Sequence, residues 1–143
     1  MAAEDCLFCR IVSGEIPAVI VYEDKNTVAF LDHRPLFPGH LLLVPREHFE
    51  TLGDLPATQI EPLFTNAQLL SRAVESALEA EGSFVAMNNR VSQSVPHLHV
   101  HVVPRRRKDG LKGFFWPRTK YKSDEEMQIT REKISAKIKQ QKN

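Results

Sequence analysis

Apolar and polar positions change their period along the chain, and the changes divide it into elements. Ala18-Val19-Ile20-Val21-Tyr22 and Thr27-Val28-Ala29-Phe30-Leu31 are β-rich runs separated by the polar Glu23-Asp24-Lys25-Asn26, a pattern that predicts a hairpin. Leu41-Leu42-Leu43-Val44 is short, apolar and bounded by Pro38-Gly39 and Pro45, which predicts a buried strand. From Thr58 to Glu81 the period lengthens: Ile60, Leu63, Phe64, Ala67, Leu70, Val74, Ala77 and Leu78 recur at helical spacing, and Gly82 follows as a C-terminal stop. Thr58 and Glu61 are placed to form a capping box, leaving Pro62 in the first turn, where its missing N–H costs less. Ser83-Phe84-Val85-Ala86-Met87 returns to strand character, and the polar Asn88-Asn89-Arg90-Val91-Ser92 links it to a last strand between Pro96 and Pro104. Ser123 to Gln141 carries Met127, Ile129, Ile134 and Ile138 among many charges, which predicts a surface helix with a thin apolar stripe. The expected fold is α+β: a single domain over 1–143, with a mostly antiparallel sheet of about five strands, one long helix and a C-terminal helix. Its core runs over about 5–118 and the tail over about 119–143.

The last strand holds the chemistry. In His97-Leu98-His99-Val100-His101 the side chains of an extended chain alternate, so three imidazoles face one way while Leu98, Val100 and Val102 face the other. Neighbouring imidazoles there lie roughly 7 Å apart, close enough to act on one anionic group or to share a metal. Half of the six histidines fall in this run, so an accidental cluster is a poor explanation. Imidazole titrates near neutrality, which lets one ring be a nucleophile while others donate hydrogen bonds to the group under attack; a phosphate ester or anhydride is the matching electrophile. Zinc ligation by histidines at i and i+2 is the competing reading, and spacing alone weighs the two evenly.

Composition narrows the partners. Lysine plus arginine (19) and aspartate plus glutamate (18) nearly cancel to a formal charge of +1, which argues against specific nucleic-acid binding and makes any anion recognition local. A chain of 143 residues buries enough surface to fold as one domain without disulfides. Met-Ala-Ala-Glu-Asp at the start lacks the layout of a signal peptide, and no apolar run reaches the ~20 residues of a membrane helix, so a cytoplasmic location is expected. Cys6 and Cys9 are then metal ligands, a redox pair or buried fillers. Arg105 to Gly113 concentrates five basic residues with two glycines, which suggests a mobile loop.

Gln93-Ser94-Val95-Pro96-His97-Leu98-His99-Val100-His101-Val102-Val103-Pro104-Arg105 closely resembles the signature of the histidine triad superfamily, His-x-His-x-His followed by two apolar residues. The likeness extends upstream through Phe8, Phe30-Leu31-Asp32, Pro38-Gly39-His40 and Val44-Pro45-Arg46-Glu47-His48. The resemblance implies a nucleotide hydrolase or nucleotidyl transferase, in which His99 attacks the α-phosphorus to form a nucleotidyl-imidazole that water later releases. It further implies that His101 and His40 orient that ring or donate to the phosphate, that Ser94 reaches a phosphate or leaving-group atom, and that Gln93 and Asn88 contact the nucleotide. A base slot of Leu7, Phe8, Ile11 and Phe30, with Asp32 accepting the ribose hydroxyls, follows from the same likeness. The chain departs from the pattern at Ser92, where the family usually has glycine before the glutamine, in the shortened Asn89-Arg90-Val91 connection, and at His33, where an aliphatic residue is common.

One branch of the family joins a Cys-x-x-Cys pair to two histidines, which here are His48 and His97 beside Cys6 and Cys9. Two thiolates and two imidazoles make a closed tetrahedral zinc set, structural because it leaves no open position; no organic cofactor is expected. The segment through Asp32 is closer to the Hint-type phosphoramidases, whereas Pro38-Gly39-His40 and Val103-Pro104-Arg105 are closer to the fragile-histidine-triad dinucleoside polyphosphate hydrolases. The alternative to an enzyme is a nucleotide-binding regulatory protein with little turnover. A purine nucleotide and a second copy of the chain, as a homodimer, are the partners the resemblance implies.

Overall fold

The structure is a computed structural model that describes residues 3–111 and 118–142. After a 3-10 turn at Ala3–Asp5 come α1 (Leu7–Val12), β1 (Ile20–Glu23), β2 (Thr27–Leu31) and β3 (Leu41–Pro45). Then follow α2 (Ala57–Ala77), β4 (Gly82–Ala86), β5 (Val100–Arg105) and α3 (Asp124–Lys142). The five strands form one antiparallel sheet in the order β1-β2-β3-β5-β4, the α+β architecture expected. None of the described helices is long and apolar enough to cross a membrane.

Alternation along the strands gives the sheet two dissimilar faces. Ala29, Leu41, Leu43, Leu98, Val100 and Val102 pack on one face against Leu63, Ala67, Leu70 and Val74 of α2. Each large aliphatic buried there contributes about 1.5–3 kcal/mol. Val28, Phe30, Leu42 and Val44 pack on the other against Cys6 and Phe8, and His97, His99 and His101 belong to that second face. The α1 helix is a single short stretch, so it covers this face only in part and leaves room for a site.

The hairpin turn is built by Asp24, whose Oδ1 accepts the N–H groups of Asn26 and Thr27 at 2.8 Å. Its Oδ2 accepts from Nδ2 of Asn66, a buried residue of α2, at 2.7 Å, so one carboxylate fastens the helix to the hairpin.

Three local expectations require correction. The capping box of Thr58 and Glu61 does not form: α2 begins at Ala57 with Pro56 as its N-cap, in extended conformation and without a side-chain cap bond. A proline already fixed at φ −63° enters the helix without help from a side chain. At the other end Gly82 is not the stop but the first residue of β4, opposite Arg105. The helix ends earlier, at Ala77, because Glu79 takes φ +50° and Ala80 N–H bonds back to Glu75 O at 2.9 Å, a Schellman closure made without glycine. Finally, regular pairing in the last strand starts at Val100 rather than His97; Leu98 N–H instead meets Phe49 O at 2.7 Å, drawing the segment toward the 45–52 loop.

Residues from Gly110 on form a separate unit. Its helix α3 has Ser123 Oγ accepting from Glu126 N–H, acids in its first turn, lysines in its last, and no buried residue.

Candidate active site and metal cluster

β5 and the residue just before it bring His101 and His99 beside His40, which stands just ahead of β3 where Leu42 pairs with His101. His40 is placed by a compact turn: Asp32 N–H donates to His40 O at 2.9 Å, His40 N–H to Phe37 O at 3.0 Å, and Leu36 N–H to His40 Nδ1 at 3.1 Å. Gly39 makes the turn possible, because it holds φ +98° and a Cβ there would collide with the Leu78 side chain. His40 Nε2 then lies 2.9 Å from His101 Nδ1.

His99 is 4 % exposed and meets the edge of Phe8, ring centres 5.0 Å apart. Its Nδ1 donates to the carbonyl of His97 at 2.7 Å, which leaves the Nε2 lone pair free. Burial lowers the pKa of His99 and of His40, the latter against the opposing pull of Asp32, whose carboxylate is 3.8 Å away. Burial together with His99 and His40 pushes His101 down to about 4. At neutral pH all three rings are therefore uncharged, the state a nucleophilic imidazole requires.

Beside the triad a cavity of about 380 Å³ is lined by Leu7, Phe8, Ile11, Phe30, Asp32, Ser94 and Val95, among others. The structure thus brings together the apolar residues expected of a base slot, with Asp32 and Ser94 at its polar end. His33 is exposed and also lines this cavity. Asn88 and Gln93 are not among its lining residues. The amide of Gln93 accepts from Arg90 N–H at 2.8 Å and donates to Glu50 O at 2.6 Å, so it braces the loop. Ser92, at the position where the resembled pattern carries glycine, has φ +60°, a conformation costly for any residue with a Cβ.

Cys6, the N-cap of α1, and Cys9 within it converge with His48 and His97. Cys9 Sγ is 3.3 Å from His48 Nδ1 and 3.4 Å from His97 Nδ1; Cys6 Sγ is 3.4 Å from His97 Nδ1, and the two Nδ1 atoms are 3.3 Å apart. A tetrahedral zinc with Zn–S of about 2.3 Å and Zn–N of about 2.0–2.1 Å requires N···N and N···S edges of about 3.3–3.6 Å, which these four distances match. The ring orientations agree: His97 Nε2 meets Pro45 O at 2.9 Å, the outer hydrogen bond typical of a ligating histidine, and this turns Nδ1 inward. Burial first, then Cys6, pushes the Cys9 thiol up to about 11, and burial lowers His97 to about 4. Cys9 and His97 are thus both neutral at pH 7.

The basic loop is not free as expected. Arg105 forks onto Asp109 at 2.6 and 3.0 Å, Arg107 pairs with Glu81 at 2.8 Å, and Arg106 reaches the Leu78 carbonyl at the end of α2; Lys112 and Gly113 lie outside the described residues. Sequence reasoning missed the backbone groups that set the rings, Leu36 N–H, His97 O and Pro45 O. Only Gly39 between Pro38 and His40 hinted at them.

The HIT domain pattern matches residues 13–108. The adenosine 5'-monophosphoramidase hnt1 of Schizosaccharomyces pombe is 37% identical over 139 residues, covering 94% of this chain and 98% of its own length. The adenylylsulfatase HINT3 of Arabidopsis thaliana is 34% identical over 75% of this chain, which spans only 55% of that longer protein. Among solved structures, a HIT family member from Bacillus subtilis superposes with a TM-score of 0.83 at 33% identity, covering 92% of this chain and 96% of that one. A zinc-bound histidine triad protein from Mycobacterium smegmatis superposes with a TM-score of 0.73 at 38% identity, covering 82% and 86%. Matched through its sheet, its triad and the greater part of its length, the chain belongs to the HIT domain family.

Proposed function

We propose that this protein is a nucleotide hydrolase that cleaves at the α-phosphate through a nucleotidyl-histidine intermediate. The observation that carries this reading is His99: a buried, neutral imidazole whose Nδ1 is committed to the His97 carbonyl, so that Nε2 is the nucleophilic atom, standing beside an apolar cavity of nucleoside size. In the first step His99 Nε2 forms a bond to the α-phosphorus while the bond to the leaving group breaks; in the second, water hydrolyses the P–N bond and restores the imidazole. His101 serves the phosphoryl oxygens with His40 orienting it from behind, Ser94 the phosphate or leaving group, and Asp32 the ribose hydroxyls. Leu7, Phe8, Ile11 and Phe30 hold the base. Asn88 and Gln93 shape the 88–94 loop at the phosphate end, Gln93 through its two bonds to backbone.

Between the two leaving-group classes, the arginine pairing favours a nucleoside phosphoramidate. Arg105 and Arg107 are engaged with Asp109 and Glu81 and Arg106 with a helix carbonyl, so they are poorly disposed to neutralise distal phosphates. The phosphoramidase named among the relatives points the same way. Cys6, Cys9, His48 and His97 would hold one zinc ion, which when bound supplies a structural cross-link between the N-terminal segment and the triad strand. Exposed Ile60, Phe64 and Leu69 on α2 and Val85 on the edge strand β4 support a homodimer.

The test is a parallel rate measurement on adenosine phosphoramidate and on diadenosine tri- and tetraphosphate, with His99→Ala as control. The expected result is preferred turnover of the phosphoramidate, with turnover and an acid-labile α-phosphate label both lost in the variant, which still binds AMP. A variant within a few fold of the parent would end the covalent reading.

A further inference from the structure

The turn from Pro35 to Gly39 reaches the triad through its backbone. Leu36 N–H donates to His40 Nδ1 at 3.1 Å, so that nitrogen is an acceptor and the proton of the neutral ring sits on Nε2. His40 Nε2 and His101 Nδ1 are 2.9 Å apart. Neither two protons nor two lone pairs can face each other at that distance, so His40 donates, His101 Nδ1 accepts, and the proton of His101 is left on Nε2. The neighbouring ring is set the other way, because His99 Nδ1 faces a carbonyl and must carry its proton there. Two imidazoles with centres 5.0 Å apart thus hold opposite tautomers, one offering a lone pair and the other an N–H.

We propose that the backbone amide of Leu36 is a positioning group for the chemistry: acting through His40, it fixes His101 as an Nε2–H donor to the phosphoryl oxygens, while the His97 carbonyl fixes His99 as the Nε2 nucleophile. The catalytic meaning of this assignment rests on the function proposed above. A backbone donor suits the task because it does not titrate and, unlike a hydroxyl, does not rotate. The turn that carries it is held by Asp32 Oδ1, which accepts Arg34 N–H at 2.9 Å, by the Phe37 carbonyl that accepts from His40 N–H, and by the close approach of Gly39 to Leu78. His40 is only 3 % exposed, so water cannot replace the amide at Nδ1. Without that donor His40 is free to take the other tautomer, its Nε2 lone pair facing His101. His101 would then hold its proton on Nδ1 and turn a lone pair toward an anionic phosphate, where repulsion replaces attraction.

The tautomers are read directly from imidazole ¹⁵N shifts and two-bond ¹H–¹⁵N couplings in full-length protein labelled at histidine, without substrate. His40 and His101 are expected in the Nε2-protonated form and His99 in the Nδ1-protonated form. Leu36→Pro removes the donor and should turn His101 into a mixture of tautomers. Because that proline endangers folding, His40→Gln and His40→Leu provide the second comparison. A glutamine amide can accept from Leu36 and still donate to His101 Nδ1; leucine can do neither. In His40→Gln, His101 should keep its proton on Nε2 and kcat should fall less than about tenfold, whereas in His40→Leu the tautomers should mix and kcat should fall about 100-fold at nearly constant KM. An Nδ1-protonated His101 in the parent, or equal tautomer populations in the Gln and Leu variants, would overturn the assignment. The spectra need no turnover, so an absence of nucleotide hydrolysis would count against the proposed reaction alone, and a wrong tautomer would count against the Leu36 assignment even in an active enzyme.

Discussion

Asp24 shows how much one side chain can govern. Burial alone would raise its carboxyl, but donors from Asn66, Asn26 and Thr27 outweigh burial and hold it at about 2, against an ordinary value of 3.8. A folded pKa below the unfolded one adds stability that is fully present above about pH 4 and is lost as pH falls toward 2. Allowing for partial exposure, the contribution is on the order of 1–2 kcal/mol. Asp24→Asn should therefore lower the melting temperature at pH 7, and the gap between variant and parent should close below pH 3 in a pH series of thermal melts. Ser92 makes the opposite case. At φ +60° it carries strain that glycine would not, so Ser92→Gly should stabilise the fold by about 0.5–1 kcal/mol, measurable as a raised urea midpoint. The histidines that the fold brings together were legible in the sequence because their type and spacing are rare. Their tautomers were not, since Leu36, Pro45 and His97 act through backbone groups that every residue possesses.

Among the elements, strands and helices were legible wherever a period persisted. The α2 stripe of Leu63, Ala67, Leu70 and Val74 is buried as its spacing requires, and Leu70→Ala should cost about 2–5 kcal/mol by chemical denaturation. The ends of α2 were not legible, because both are closed by unusual residues: Pro56 in place of a side-chain cap and Glu79 in place of glycine at a left-handed position. Glu79→Gly should accordingly stabilise by about 0.5–1 kcal/mol, the reverse of what glycine does inside a helix. The pairing of the basic loop was not legible for a related reason. Charge density says nothing about pairing, and Asp109 and Glu81 lie four and more than twenty residues from the arginines they hold.

For the molecule as a whole, the two faces of one sheet divide stability from chemistry. The α2 face is mostly hydrocarbon, whereas the α1 face carries the sulfur–imidazole cluster, the triad and the cavity. About one zinc per chain is expected in purified protein, and Cys9→Ser should lower metal content and melting temperature together, while activity per folded molecule falls less than in His99→Ala. Fully active protein shown to be metal-free by elemental analysis would refute the zinc assignment. Within this division residues 97–101 stand apart, since ligand candidate, core leucine, proposed nucleophile, core valine and proposed donor succeed one another without a spare position. A shift of pairing by a single residue would drive three imidazoles into the hydrocarbon and bring leucine and valine to the phosphate. This pentapeptide therefore behaves as a reading frame: a substitution acts at its own position, but an insertion or deletion of one residue between His97 and His101 should disturb the Cys–His cluster, the packing and the proposed chemistry at once.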